Sequence, residues 1–199
     1  YLTIPKGGGE LNGVVPNEQL PPDMRLGVAA TPEEAAAKTT FLLDHGADFI
    51  KAIATGAVLA IGTEPGAPEL TEDQLRAIVK IAHARGKRVT AHAHGAIGIQ
   101  NAINAGVDSI EHASLADEAT LQLAKRHGTW LAMDIYNGDY IEDIGTKEGW
   151  PAEYLRKNRE TTDTQRAAFK RAVELGVNIG FATDAGVYPH GLNARQFAY

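Results

Sequence analysis

The sequence predicts an α/β fold of the (β/α)8 TIM-barrel type, on two observations. Five times a helix-like stretch ends at a Gly and is followed by a short apolar strand: Gly46, Gly86, Gly106, Gly128 and Gly176 each precede one. Gly suits the left-handed conformation that closes a helix. Counted from those glycines, Lys51 lies five residues on, His92, His112 and Asp134 six, and Asp184 eight. Each unit therefore carries an ionisable residue near the carboxyl end of its strand. An open doubly wound sheet would spread such residues along a line, whereas a barrel gathers strand ends into one ring, where barrel enzymes keep their chemistry.

The helix starts are marked as well. Thr31 with Pro32 and Glu34, Thr71 with Gln74, and Ser114 with Asp117 read as capping boxes or near versions of one. Leu75, Ile78, Val79 and Ala82 recur at helical spacing, as do Phe169, Ala172, Val173 and Gly176. Strand alternating with helix, through crossovers that suit only parallel strands, is the α/β pattern. Two connections are much longer than usual: Gly56 to Leu70, and Tyr136 to Ala152 with Tyr140 and Trp150. Both follow strand carboxyl ends, so each is expected either to border the barrel mouth as a substrate-contacting loop or to be a plain surface loop.

Composition narrows the function. With 199 residues, 44% of them hydrophobic, the chain can bury one sizeable core. A formal net charge of -6 with scattered Lys and Arg offers no footprint for nucleic acid or an anionic membrane. No apolar run approaches the ~20 residues that span a bilayer. The absence of Cys excludes disulfides, thiolate metal sites and a Cys nucleophile, but leaves the compartment open. Tyr1 opens the sequence without a Met and with no charged-then-apolar leader, so any targeting segment either lies outside these residues or does not exist.

The candidate chemistry lies in four places. ThrAlaHisAlaHisGly at 90 to 95 puts Thr90, His92 and His94 on one face of a strand and Val89, Ala91 and Ala93 on the other. Imidazoles in a barrel core need a hydrogen bond or a metal to offset burial; His45, His83 and His127 read instead as ordinary helix-end residues. IleGluHisAlaSer at 110 to 114 places His112 one strand along the ring. Lys51 is expected inward with Phe49 and Ile53, where an ammonium must be paired, neutralised or modified; a carboxylate such as Asp184 is one partner. AlaThrAspAlaGly at 182 to 186 ends the last strand at Asp184, with small Gly180 and Ala182 on the same face leaving room for a ligand.

Lys51, then His-x-His-Gly, then Glu-His, then Thr-Asp-Ala-Gly, in that order on successive strands, resembles the amidohydrolase superfamily. The likeness is to the branch of Xaa-Pro dipeptidases, imidazolonepropionase-like enzymes and ochratoxin-degrading amidases. It implies a metal-dependent hydrolase of an amide or peptide C–N bond, with two divalent metal ions, zinc by preference. Lys51, carboxylated on its amine, would bridge them; His92 and His112 would bind one and Asp184 the other. Asp184 would also be the general base that passes a proton from a metal-activated water to the leaving nitrogen, and His94 would polarise the carbonyl. The expected partners are a small amide or peptide substrate and further copies of the chain in a homo-oligomer.

One departure stands out. The family takes two more ligands from a His-x-His on its first strand, and no such pair precedes Lys51. TyrLeuThrIlePro followed by LysGlyGlyGly reads as the third strand and its loop, so the chain is expected to hold strands three to eight of an incomplete barrel. Strands one and two and the small β domain would come from the same longer protein or from another chain. The 199 residues alone should then bind metal incompletely and show little activity. A cyclic-amide hydrolase is the neighbouring alternative. A metal-free barrel using Lys51 as a Schiff-base amine leaves the histidines unexplained, and a non-catalytic barrel leaves unexplained why all four residues face inward. For a substrate carboxylate, Arg195, His190 and Arg156 are candidate cations; for an aromatic group, Tyr136, Tyr188 and Trp150 are candidates, with packing as their other reading.

Overall fold

A computed structural model describes residues 1–10, 19 and 21–199. Helix α1 (Pro32–Asp44) leads into β1 (Ile50–Ile53), and α2 (Glu72–Ala84) into β2 (Val89–Gly95). Then follow α3 (Ala96–Ala105), β3 (Ser109–Leu115), α4 (Glu118–His127) and β4 (Trp130–Met133), and α5 (Asn137–Glu148) and α6 (Ala152–Leu175) precede β5 (Ile179–Phe181). The strands form one parallel sheet in the order β1-β2-β3-β4-β5. Strand order that follows chain order with helical crossovers is the winding of a (β/α) barrel. Among the described residues β5 does not return to pair with β1, so this is an incomplete barrel. The segment read as a further strand appears as isolated parallel bridges, Leu2 to Ala52 and Thr3 to Val28, rather than as a full strand. Leu2 still exchanges backbone bonds with Lys51 and Ile53 at 2.7 and 2.8 Å, which places it beside β1.

The core lies between the sheet's outer face and the helices. Val89, Ala91 and Ala93 are fully buried there, against Leu75, Ile78 and Ile103. The amphipathic spacing of α2 is borne out, since Leu75, Ile78, Val79 and Ala82 are all buried. That of α6 is met in part: Ala172 is buried and Phe169 packs on the core, but Val173 is exposed and lines an outer groove. Thr71 and Gln74 make a reciprocal capping box. Thr31 accepts from the Glu34 N–H at 3.2 Å, while the Glu34 carboxylate reaches Ala30 N instead. Ser114 does not cap: β3 runs on to Leu115, and Asp117 is the residue that accepts from Thr120 N. The connection from Tyr136 to Ala152 contains the whole of α5, which has no side-chain cap to announce it.

The sheet and its loops meet at Gly95, where a Cβ would stand 2.3 Å from the Gly66 carbonyl oxygen. Backbone cannot swing aside as a side chain can. Gly95→Ala is therefore expected to destabilise the protein by about 1–3 kcal/mol, read as a lower denaturant midpoint at unchanged slope. No helix among the described residues is long and apolar enough to cross a membrane.

Candidate functional site

The inner face of the sheet follows from strand alternation in β2, where Thr90, His92 and His94 point away from the helices. Adjacent strands extend that face. Parallel register sets Ile53 beside His92, His92 beside Glu111, and Ala132 beside Gly180. His92, His94 and His112 are all buried, and their ring centroids lie 4.7 Å from one another in each pairing.

His112 reaches the cluster against the simple alternation. Its pairing partner is Ala93, which faces the helices, and its neighbour Glu111 already faces inward. The backbone resolves the conflict: His112 and Ala113 adopt φ of 72° and 51°, and the β2–β3 register shifts between Ala93 and Gly95. Asp184, three residues beyond β5, has φ 51°. Left-handed non-Gly residues cost about 1–3 kcal/mol each and concentrate at functional sites. Two of these three lie among the candidate ligands.

Each imidazole has a partner that selects which nitrogen stays open. His112 Nδ1 donates to Asp134 Oδ1 at 2.7 Å, leaving Nε2 available. His92 Nε2 donates to the Gly56 carbonyl at 3.3 Å, leaving Nδ1. His94 Nδ1 shares a hydrogen with the Ser114 hydroxyl at 2.8 Å. Burial, reinforced by the positive charges of His112 and Lys51, holds the His92 pKa well below the usual histidine value. Burial beside His92 and His112 does the same for His94. Burial also opposes charge on His112, but the Asp134 carboxylate, with Asp184 and Glu111 beyond it, outweighs that and raises its pKa to about 9. Asp184 is exposed on the open flank, yet dehydration in the mouth raises its carboxyl, against the pull of His112 and Lys51. Asn137 donates to it at 3.3 Å.

Ligand atoms of His92, His94 and His112 lie within 4.8 Å of one another, and so do those of His112, Asp134 and Asp184. Three of the four residues singled out as ligands thus fall into these two groups, which share His112. Lys51 lines the same cavity but is half-exposed and paired with Glu111, not with Asp184. Asp134, which the spacing from Gly128 puts in the ring of strand-end residues but no motif marks as a ligand, belongs to the second group. Ser114, whose spacing to Asp117 reads as a helix cap, and Gln165 also line the cavity. Gln165 donates to the Asp134 carbonyl, and no local pattern brings a residue of α6 to β4.

Of the candidate carboxylate-binding cations, none lines the cavity. Arg156 is held by Glu64 and Glu160, and Arg195 donates to the Tyr136 hydroxyl at 2.8 Å. His190 is exposed. Tyr136 and Tyr188 are buried against each other, centroids 5.1 Å apart, and Trp150 packs at Gly145, so all three serve packing here. The loop after β1 and the start of α5 do border the cavity, through Ala57, Val58, Leu59, Asn137, Gly138 and Ile141.

Comparison with known proteins agrees with this architecture. The chain is 31% identical over 179 residues to ochratoxinase of Aspergillus niger, an alignment covering 87% of this chain and 36% of the relative. Its fold is similar to that of a solved Xaa-Pro dipeptidase with bound methionine in the active site: TM-score 0.87, 32% identity, covering 100% of this chain and 49% of that one. The solved A. niger ochratoxinase is similar at TM-score 0.77 and 27% identity, over 99% of this chain and 47% of that one. The chain thus spans about a third of the length of the ochratoxinase and about half of these solved chains. The amidohydrolase family model matches residues 16–197, and the chain belongs to the amidohydrolase family.

Proposed function

We propose that the chain forms most of the catalytic barrel of a metal-dependent hydrolase that cleaves an amide or peptide C–N bond. The observation that carries this is the convergence of His92, His94, His112, Asp134 and Asp184, from four separate strand ends, on one cavity. The donor set suits divalent cations. Two of the three imidazoles are held neutral, His92 offers an open Nδ1 and His112 offers Nε2 once it gives up a proton, and the buried Asp134 Oδ2 has no hydrogen-bond partner among the described residues. Nitrogen and carboxylate donors of this kind match zinc.

His92, His112 and Asp184 are the proposed ligands, with Lys51 once carboxylated. Bound divalent ions would supply electrophilic polarisation of the carbonyl and a water acidic enough to attack near neutral pH. The chain's own residues do the rest. Asp134 accepts from His112 Nδ1 and so fixes the ring and its tautomer, which keeps Nε2 aimed at the site. Asp184 takes a proton from the attacking water and delivers it to the leaving nitrogen. His94, oriented by Ser114, is placed to donate to the oxyanion. Lys51 as a cation is matched to Glu111; as a carbamate it would face that carboxylate, so its modification is expected only alongside loaded cations.

The remaining strands and ligands would come from the rest of a longer protein or from a partner chain, with association of copies a further proposal. The test uses the full-length protein loaded with zinc and a panel of Xaa-Pro dipeptides, N-acyl amino acids, aryl amides and lactams. Hydrolysis that a chelator stops and zinc restores is expected. Turnover indifferent to chelator, or trapping of substrate on Lys51 by borohydride, would overturn the metal reading.

A further inference from the structure

The only lysine buried completely among the described residues is Lys157 of α6, and the chemistry above does not use it. A buried ammonium is retained only where it is paired and hydrogen-bonded. Its Nζ donates to the Ala60 carbonyl at 2.5 Å and pairs with Glu153 at 2.6 Å. Glu153, one turn back, also accepts from Gly62 N at 2.9 Å, and Arg156 meets Glu64 at 2.7 Å. One face of α6 thus holds the loop after β1 at residues 60, 62 and 64, more than ninety positions away in sequence. Inside the loop, Thr63 Oγ1 accepts from Ala57 N at 3.2 Å and carries that anchorage to Ala57, Val58 and Leu59, the apolar residues that line the cavity.

We propose that Lys157 is a positioning residue that sets substrate affinity: its ammonium, sealed between α6 and the loop, fixes the Ala57–Val58–Leu59 wall on which an apolar, non-reacting part of the substrate rests. This rests on the hydrolase reading and adds to it the device that forms one side of the substrate pocket. Filling space alone would be met more cheaply by Met, since an apolar residue needs no partner. What a lysine adds is a directed bond to one carbonyl, and with it one fixed loop position. The wall touches the substrate equally in ground and transition states, so loosening it should change binding and leave the chemical step alone.

The test compares Lys157→Met and the milder Glu153→Gln with the unaltered full-length protein. Expected are faster amide hydrogen exchange across residues 60–64, unchanged zinc content, and a KM raised about tenfold for amides bearing an apolar group at nearly constant kcat. Leu59→Ala should raise KM similarly while exchange at residues 60–64 stays slow. A fall in kcat at constant KM, with lowered thermal stability, would reduce Lys157 to a structural role and overturn the proposal, as would unchanged exchange in both variants. If the unaltered protein hydrolyses no amide, the hydrolase reading fails by itself, while the exchange measurement still decides whether Lys157 anchors the loop.

Discussion

Asp184→Asn is expected to lower kcat by about 10²–10⁴-fold, the usual contribution of a positioned general base, in a protein that remains folded. Asn keeps the volume and the contact with Asn137 but cannot accept a proton. Three features point to this residue. It follows the sheet edge in a left-handed backbone conformation, its ligand atom lies within 4.8 Å of those of His112 and Asp134, and its carboxyl pKa is raised by dehydration. A carboxyl biased toward accepting a proton, beside the cavity that the neutral His92 and His94 line, is suited to shuttling one. The measurement is single-turnover hydrolysis with zinc content determined on the same sample. Loss of rate with zinc retained isolates the proton-transfer role; loss of both assigns Asp184 mainly to binding metal. Full activity in the variant would remove it from the mechanism.

Metal uptake should displace a proton from the pair formed by His112 and Asp134. The folded pKa of His112 is raised to about 9, and the imidazole must lose its proton before coordinating. Between about pH 7 and 9, apparent zinc affinity is therefore expected to rise roughly tenfold per pH unit, with about one proton released per chain in weakly buffered solution. Asp134→Asn acts in two opposed ways. It loosens the His112 ring, which costs roughly 10–100-fold in metal affinity, and it removes the main cause of the raised pKa, so the pH dependence should shift to lower pH. Titration calorimetry in two buffers of different ionisation enthalpy reads both effects. A pH-independent affinity would show that His112 is not a ligand.

The same pair makes a prediction about stability without metal. Because the folded pKa lies above the ordinary histidine value of about 6.5, its contribution is fully present below that pH and is lost as pH rises through about 9. Denaturation midpoints of the zinc-free protein should fall over that window, and Asp134→Asn should flatten the fall.

What the sequence by itself determined was everything governed by local period and local chemistry. Alternation in β2 required His92 and His94 to share a face opposite Val89, Ala91 and Ala93, because a strand repeats every two residues. Gly stops and the Thr71–Gln74 box bounded helices through backbone bonds only a few residues long. The motif order from Lys51 to Asp184 carried the family, and with it the barrel. Tertiary structure alone decided how the side chains meet. Glu111 and His112 are neighbours and cannot both face inward on a regular strand; the left-handed turn at His112 and Ala113 allows it, at a cost that only surrounding packing sustains. Ser114 looked like a helix cap because its spacing to Asp117 fits one, yet β3 carries it past that role to His94. Lys51 meets Glu111 rather than Asp184 because both stand on the inner face of the sheet, with Glu111 two strands over and one inward position further along. The Glu153–Lys157 spacing reads as an ordinary surface pair on a helix, and the burial of Lys157 has no local sign, since its partner carbonyl lies 97 residues away. Periodicity is written residue by residue into the backbone, whereas convergence depends on the register and curvature of the whole sheet.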